Sequence, residues 1–251
     1  MPTESPLVEI RGLTMAYGDF VVQRDLDFAI ERGEIFAVIG ISGCGKTTLL
    51  RHLVGLQSPA KGRVLYEGED FWGTDPERRK LMMRKFGVMY QNGALWSSMT
   101  LAENVSLPLE VYTELSRSEI REIALFKLAL VGLAGFEDFH PAEVSGGMRK
   151  RVGVARAMAL DPDILYFDEP SAGLDPVSAR RLDDLIRELR DSLGITMVVV
   201  THELDSIFAV ADRSVFLDPD THTMLAIGSP AELRDHSPDP KIRQFLNRGR
   251  L

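Results

Sequence analysis

The stretch from Gly40 to Thr48, GISGCGKTT, follows the apolar run Ile35 to Ile39 and opens a helical pattern. Glycines at 40, 43 and 45 remove side chains where the backbone must curl around an anion, so successive amide N–H groups can point inward. A helix starting near Thr47 adds its positive N-terminal end. Lys46 supplies a flexible point charge within reach of β- and γ-phosphates, and the Thr47 hydroxyl is placed to ligate magnesium. Ser42, Cys44 and Thr48 complete the stretch expected to wrap the phosphates. The chemistry is that of a nucleoside triphosphate with Mg2+. The Cys44 side chain reads as a spacer that touches nothing rather than as a redox group.

Two further groups of residues carry charge chemistry. Ile164 to Phe167 is a continuous apolar run that fits a strand buried on both faces, and it ends in Asp168 and Glu169. At the C-terminal end of a parallel strand, Asp168 can hold magnesium through its hydration shell, while Glu169 can polarise the water that attacks a γ-phosphate. Taken without the glycine-rich loop, the pair reads rather as a surface turn closed by Pro170; the loop upstream reverses that preference. Val144-Ser-Gly-Gly-Met148 precedes a pattern in which Met148, Val152, Ala155 and Ala159 fall on one face, so Ser145, Gly146 and Gly147 form a helix N-terminus. That end is either a second anion site or only a cap. Arg149, Lys150 and Arg151 read as a solvated face.

The elements that must position these groups alternate along the chain. Strands are predicted over 7–15, 20–30, 35–39, 62–66 and 86–90, and a helix after the phosphate loop turns Leu49, Leu50, Leu53 and Val54 inward. Thr74-Asp-Pro-Glu77 has the form of a capping box that starts another helix, and Ser116-Arg-Ser-Glu119 has the form of a second before Ile120, Ile123, Ala124 and Leu128. From 95 to 160 the character is mostly helical, an inserted lobe between core segments 5–94 and 161–228. Alternation resumes with strands 164–168, 196–201 and 215–217 and helices from Pro176 and Glu203. A mainly parallel sheet covered by helices follows from that order. Two short helices, entered at Pro230 and Asp239, are expected in the tail, 229–251.

With 251 residues, of which 45% are hydrophobic, the chain can bury a full core. A single cysteine excludes a disulfide framework and suits a reducing compartment. MPTESPLVEI lacks the basic and apolar regions of a secretory signal, so a cytoplasmic location is expected. No apolar run has the ~18 residues of a membrane span, so work at a membrane requires a separate partner. A net charge of -8 argues against a nucleic-acid surface.

In this order, GISGCGKTT, Gln91 after a strand, VSGGM before a helix, YFDEP with SAGLD following, and His202 ending TMVVVTH resemble the ATP-binding-cassette ATPases over nearly the whole chain. The resemblance implies an α/β P-loop NTPase fold: a RecA-like, mainly parallel sheet with an N-terminal antiparallel β subdomain and the inserted helical subdomain, forming a single ATPase domain over 1–251. It implies a head-to-tail homodimer in which ATP lies between the phosphate loop of one subunit and Ser145, Gly146, Gly147 and Met148 of the other. Tyr17 would stack on adenine, Gln91 would bridge magnesium and the attacking water to the helical lobe, and His202 would contact the γ-phosphate. Asp175 would act across the dimer, although Asp175-Pro176 also reads as a helix cap.

Met148 stands where the family's usual LSGGQ has glutamine, and the segments after Gln91 and Glu103 look most similar to the ATPases of Mla-type and Mce-associated lipid transporters. That similarity implies lipid cargo, and phospholipid in particular. It also implies a membrane permease docked on the helical lobe near Gln91 to Glu110, an Mce-type lipid-binding protein in the complex, and a place on the inner face of the inner membrane. ATPases of polar solute importers share the core motifs, as do soluble cassette ATPases. Against DNA repair stands the missing long heptad segment, and against translation stand the single cassette and the acidic balance; iron-sulfur assembly stays open.

Overall fold

A computed structural model describes residues 5–91 and 93–247. Residues 1–4 of the N-terminal stretch, Asn92 of the segment after Gln91, and residues 248–251 of the tail lie outside the described residues. The strands are β1 (Val8–Tyr17), β2 (Phe20–Ile30), β3 (Ile35–Ile39), β4 (Lys61–Tyr66), β5 (Glu69–Asp70), β6 (Phe86–Met89), β7 (Ile164–Asp168), β8 (Thr196–Val200), β9 (Arg213–Asp218) and β10 (Thr223–Gly228). The helices are α1 (Lys46–Leu53), α2 (Pro76–Met83), α3 (Leu101–Tyr112), α4 (Arg117–Leu130), α5 (Gly146–Ala157), α6 (Pro176–Leu193), α7 (Leu204–Val210), α8 (Pro230–His236) and α9 (Pro240–Leu246).

Two sheets result. An antiparallel one runs β2-β1-β4-β5, and a six-stranded one runs β10-β9-β3-β8-β7-β6, parallel except for the β10 edge. Every residue of β3 and β7 is buried, as strands covered on both faces require. Their side chains alternate between two cores. Phe36 and Val38 of β3 and Ile164 and Tyr166 of β7 pack with α1 and the antiparallel sheet. Leu165 and Phe167 of β7 face α3 to α6, so the inserted helices share one core with the sheet instead of building their own. Each such large side chain contributes about 1.5–3 kcal/mol. Ala37 and Ile39 meet Phe216 and the tail residues Leu233, Ile242 and Phe245, which places the described part of the tail on its own chain.

Two local expectations are corrected. Helix α2 is capped by Asp75, whose side chain accepts from the amides of Glu77 and Arg78, and not by Thr74. Thr74 instead donates its hydroxyl to Glu69. Strand β10 was not predicted; it is a half-buried edge strand throughout, without the alternation that marks a one-sided strand. Ser116 does form its capping box with Glu119, and Thr100 forms one with Glu103 at the start of α3.

Candidate functional site

The phosphate loop leaves β3 at Gly40 and enters α1 at Gly45. Gly45 is the N-cap of α1 with φ 98°, offers no side chain to the helix end, and the first turn carries no acidic residue. The amides at that end are therefore open to an anion. A Cβ at Gly45 would stand 2.7 Å from Val22, and at Gly40 2.4 Å from the Leu217 carbonyl oxygen, so neither of these two positions has room for a larger residue. Lys46 is buried to 9% exposure, and its ammonium donates to the carbonyls of Gly40 at 2.9 Å and Ile41 at 3.3 Å. The buried Gln23 of β2 braces the loop by donating to the carbonyls of Cys44 at 2.8 Å and Asp218 at 3.0 Å. At the far end of α1, the Tyr66 hydroxyl donates to the Leu53 carbonyl and lies 2.7 Å from the Tyr166 hydroxyl, locking the helix between the two sheets.

A cleft of about 900 Å3 opens above this loop, lined by Tyr17, Gly40, Ser42, Gly43, Gly45, Lys46, Thr47, Thr48, Gln91, Glu169 and His202 among others. Eleven of the predicted site residues thus share one cavity. Asp168 lies beneath it, where the Thr47 hydroxyl donates to its carboxylate at 3.4 Å. Burial, and then the charge of Glu169, push the Asp168 carboxyl above its ordinary range. Glu169 sits at φ 49°, with its amide donating to the Val200 carbonyl at 2.8 Å. One carboxylate oxygen is 2.7 Å from His202 Nδ1; the other is buried with no partner among the described residues. That oxygen keeps an unused capacity to accept a hydrogen bond.

A hydroxyl and a carboxylate at the mouth of an anion cradle form a hard, all-oxygen donor pair, which fits Mg2+. No cluster of three or more His, Cys, Asp or Glu able to hold a metal exists among the described residues. Thr47 and Asp168 would hold the Mg2+; bound there, it would neutralise charge on the phosphates.

Other predicted residues lie elsewhere. Cys44 is not in the cleft: its amide donates to the Ile41 carbonyl at 3.3 Å, and its thiol is buried to 1% exposure and stands 3.9 Å from the Lys46 ammonium. The side chain is packed, not free. Ser145, Gly147 and Met148 line a separate pocket of about 60 Å3 with Ser178 and Arg181. Ser145 caps α5 by accepting from the Met148 amide at 3.2 Å, and Gly146 is the first residue of that helix. Asp175 caps α6, accepting from the amides of Val177 and Ser178 at 3.0 Å each. Lys150 corrects the reading of a solvated basic face, because it is 7% exposed and reaches the carbonyls of Gln91 and Glu169. Phe20 and Phe245 line the cleft without having been predicted. Phe20 had a signal: the Gly18-Asp19 turn pairs it with Tyr17 across the β1–β2 hairpin.

A model of the ABC transporter family matches residues 23–172. The chain belongs to that family. It is an ATP hydrolase of the family. It is 39% identical over 97% of its length, and 67% of the relative's, to the Mycobacterium tuberculosis protein whose name reads "Probable ribonucleotide transport ATP-binding protein mkl". It is 37% identical to the intermembrane phospholipid transport system ATP-binding protein MlaF of Escherichia coli, over 96% of this chain and 88% of that one. Among solved structures, the dimeric post-hydrolysis state of the ATP-binding cassette MJ0796 bound to ADP and Pi matches with a TM-score of 0.78 at 29% identity, over 88% of this chain and 98% of that one. CbiO1 from Clostridium perfringens, part of the transporter complex cbiONQ, matches with a TM-score of 0.85 at 26% identity, over 97% and 95%. ABC ATPases are thus the structural neighbours of both sheets and the inserted helices. No helix among the described residues is long and apolar enough to cross a membrane.

Proposed function

We propose that this chain powers phospholipid transport through a separate membrane permease, with two copies closing head to tail on Mg2+ and ATP. The likeness to MlaF over 96% of this chain and 88% of that one carries the reading of the cargo. Met148, standing where the family pattern has glutamine, supports it. In this reading Lys46 and the loop amides hold the phosphates, Tyr17 stacks on the base, Glu169 takes the proton of the attacking water, and His202 orients Glu169. Gln91 faces the same water. Ser145, Gly146, Gly147, Met148 and Asp175 act on the nucleotide of the second copy. They lie outside the cleft of their own chain, and the MJ0796 structure is of a dimer with ADP and Pi.

This chain offers such a permease a docking surface. An apolar groove of about 500 Å3 runs between α2, β6 and α3, lined by Leu56, Met83, Tyr90, Pro108, Tyr112 and Leu160 among others. Leu56 and Tyr112 are half exposed there, at 58% and 50%. A short apolar cytoplasmic segment fits such a groove. That extends the docking face from the helical lobe onto the core lobe. The complex would hold an Mce-type lipid-binding protein as well, with the ATPase peripheral on the inner face of the inner membrane.

The Mkl likeness at 39% identity favours a second reading, the ATPase of a ribonucleotide transporter. Purifying the chain from membranes in detergent with its partners separates the two. Co-purifying phospholipid found by mass spectrometry, with ATP turnover raised by added phospholipid, supports the first. A complex without lipid whose turnover responds to ribonucleotides other than ATP supports the second and overturns the first.

A further inference from the structure

Helix α5 carries a lysine whose surroundings differ from those of its basic neighbours. Lys150 is 7% exposed, and among the described residues it forms no ion pair. Its ammonium donates to the Gln91 carbonyl and lies 3.4 Å from the Glu169 carbonyl oxygen. Burial without a carboxylate partner pushes its pKa down, while the nearby Glu169 and Asp168 charges push it back up. A buried ammonium in such a place is retained only if its hydrogen bonds are satisfied. Farther along the same helix, Arg156 donates to the carbonyls of Gly93 and Ala94, each at 2.7 Å.

Two of the four carbonyls held in this way, those of Ala94 and Glu169, belong to strained backbone. Ala94 at φ 48° and Glu169 at φ 49° are both non-glycine residues in the left-handed region, where side chains crowd the backbone. Strain of this kind persists only where the surroundings hold it. One helix supplies a cation to each of the two. Gln91 and Glu169 both line the nucleotide cleft, and Lys150 does not.

We propose that Lys150 is a positioning residue for ATP hydrolysis: its ammonium ties the backbone of Gln91 to that of Glu169, fixing both side chains relative to the phosphate loop. This rests on the roles given above to Gln91 and Glu169. Because Lys150 touches backbone and not the cleft, its removal changes turnover and leaves nucleotide affinity in place. A misplacement of about 1 Å lowers a rate by on the order of a hundredfold, so a loss of at least tenfold is expected.

The test compares Lys150→Met, Lys150→Gln and Lys150→Arg in the full chain with wild type and with Glu169→Gln. Nucleotide affinity is read with a fluorescent ATP analogue, kcat is expressed per bound nucleotide, and thermal unfolding reports folding. The expected result is an affinity within about twofold of wild type in every folded variant, a loss of kcat of about tenfold or more in Lys150→Met, and recovery in the order Gln then Arg. If Lys150→Met does not fold, Lys150→Gln carries the comparison with Lys150→Arg. Wild-type kcat in Lys150→Met or Lys150→Gln, beside an inactive Glu169→Gln, overturns the proposal alone. So does a loss equal in all three variants that follows only their unfolding temperature. Wild-type turnover in Glu169→Gln overturns the assignment of Glu169 and the proposal with it.

Discussion

Replacing Asp183 by asparagine should stabilise the protein at neutral pH, although it removes a hydrogen-bonded carboxylate. Asp183 lies on α6 at 5% exposure, where it accepts from the Ser206 hydroxyl at 2.9 Å; Ser206 in turn lies 3.2 Å from the Ser171 hydroxyl. Its second oxygen is buried without a partner among the described residues. Burial pushes its pKa from 3.8 up to about 6. A shift of one unit corresponds to about 1.4 kcal/mol, so ionised Asp183 costs the fold up to about 3 kcal/mol. The residue borders an open pocket of about 650 Å3, whose water screens the charge and sets the expected value at about 1–3 kcal/mol.

The sign follows from the raised folded-state pKa. Below about 3.8 the carboxyl is protonated in both states and contributes nothing. As pH rises from there to about 6, the unfolded chain loses the proton that the folded one keeps, and wild-type stability falls; above 6 the cost is complete. Asparagine keeps an acceptor for Ser206 and carries no charge. Urea denaturation should show Asp183→Asn more stable than wild type at pH 7.5, with the gain about halved at pH 5. An Asp183→Asn protein less stable at pH 7.5, or a gap that does not change with pH, would refute the reasoning.

At the site, Glu169→Gln should keep ATP affinity and lose at least about a hundredfold in turnover, because an amide cannot serve as base; wild-type hydrolysis would refute the role. Lys46→Ala removes charge-assisted contacts worth about 1.5–3 kcal/mol, so ATP titration should show binding roughly 10- to 150-fold weaker; unchanged affinity would count against the cradle. Gly45→Ala forces a Cβ to 2.7 Å from Val22 at φ 98°, and thermal unfolding should show a loss of about 1–3 kcal/mol with weaker nucleotide binding. A variant as stable as wild type would show that the loop relaxes.

The buried strands were legible because β3, β7 and β8 are continuous apolar runs ended by turn residues, and the one-chain cleft followed from the loop and strand-end carboxylates. Edge strand β10 was not, because Thr223 to Gly228 is uniformly half-buried and has no period to read. At α2 two adjacent oxygen side chains competed for one helix end, and only the position of Pro76 as the first helical residue makes Asp75 the cap. Lys150 shows the limit most clearly. Its neighbours in sequence, Arg149 and Arg151, are exposed and half-buried, and the helical period of Val152 and Ala155 says nothing of a loop near Gln91 crossing over it. Cys44 shows the same limit: whether a loop side chain stands free, as expected, or packs into the core is decided by strands distant in sequence, here β2 and β9.

The central claim is that the phosphate cleft is half of a site that a second copy completes. Its most direct measurement is the mass of Glu169→Gln in solution with ATP and Mg2+, by light scattering or sedimentation. The account requires a species of twice the 28.0 kDa chain that forms with ATP, dissolves with ADP, and is lost when Ser145 is replaced by a bulky acidic residue. A protein that binds ATP with wild-type affinity and stays at 28.0 kDa at every concentration tested would contradict it.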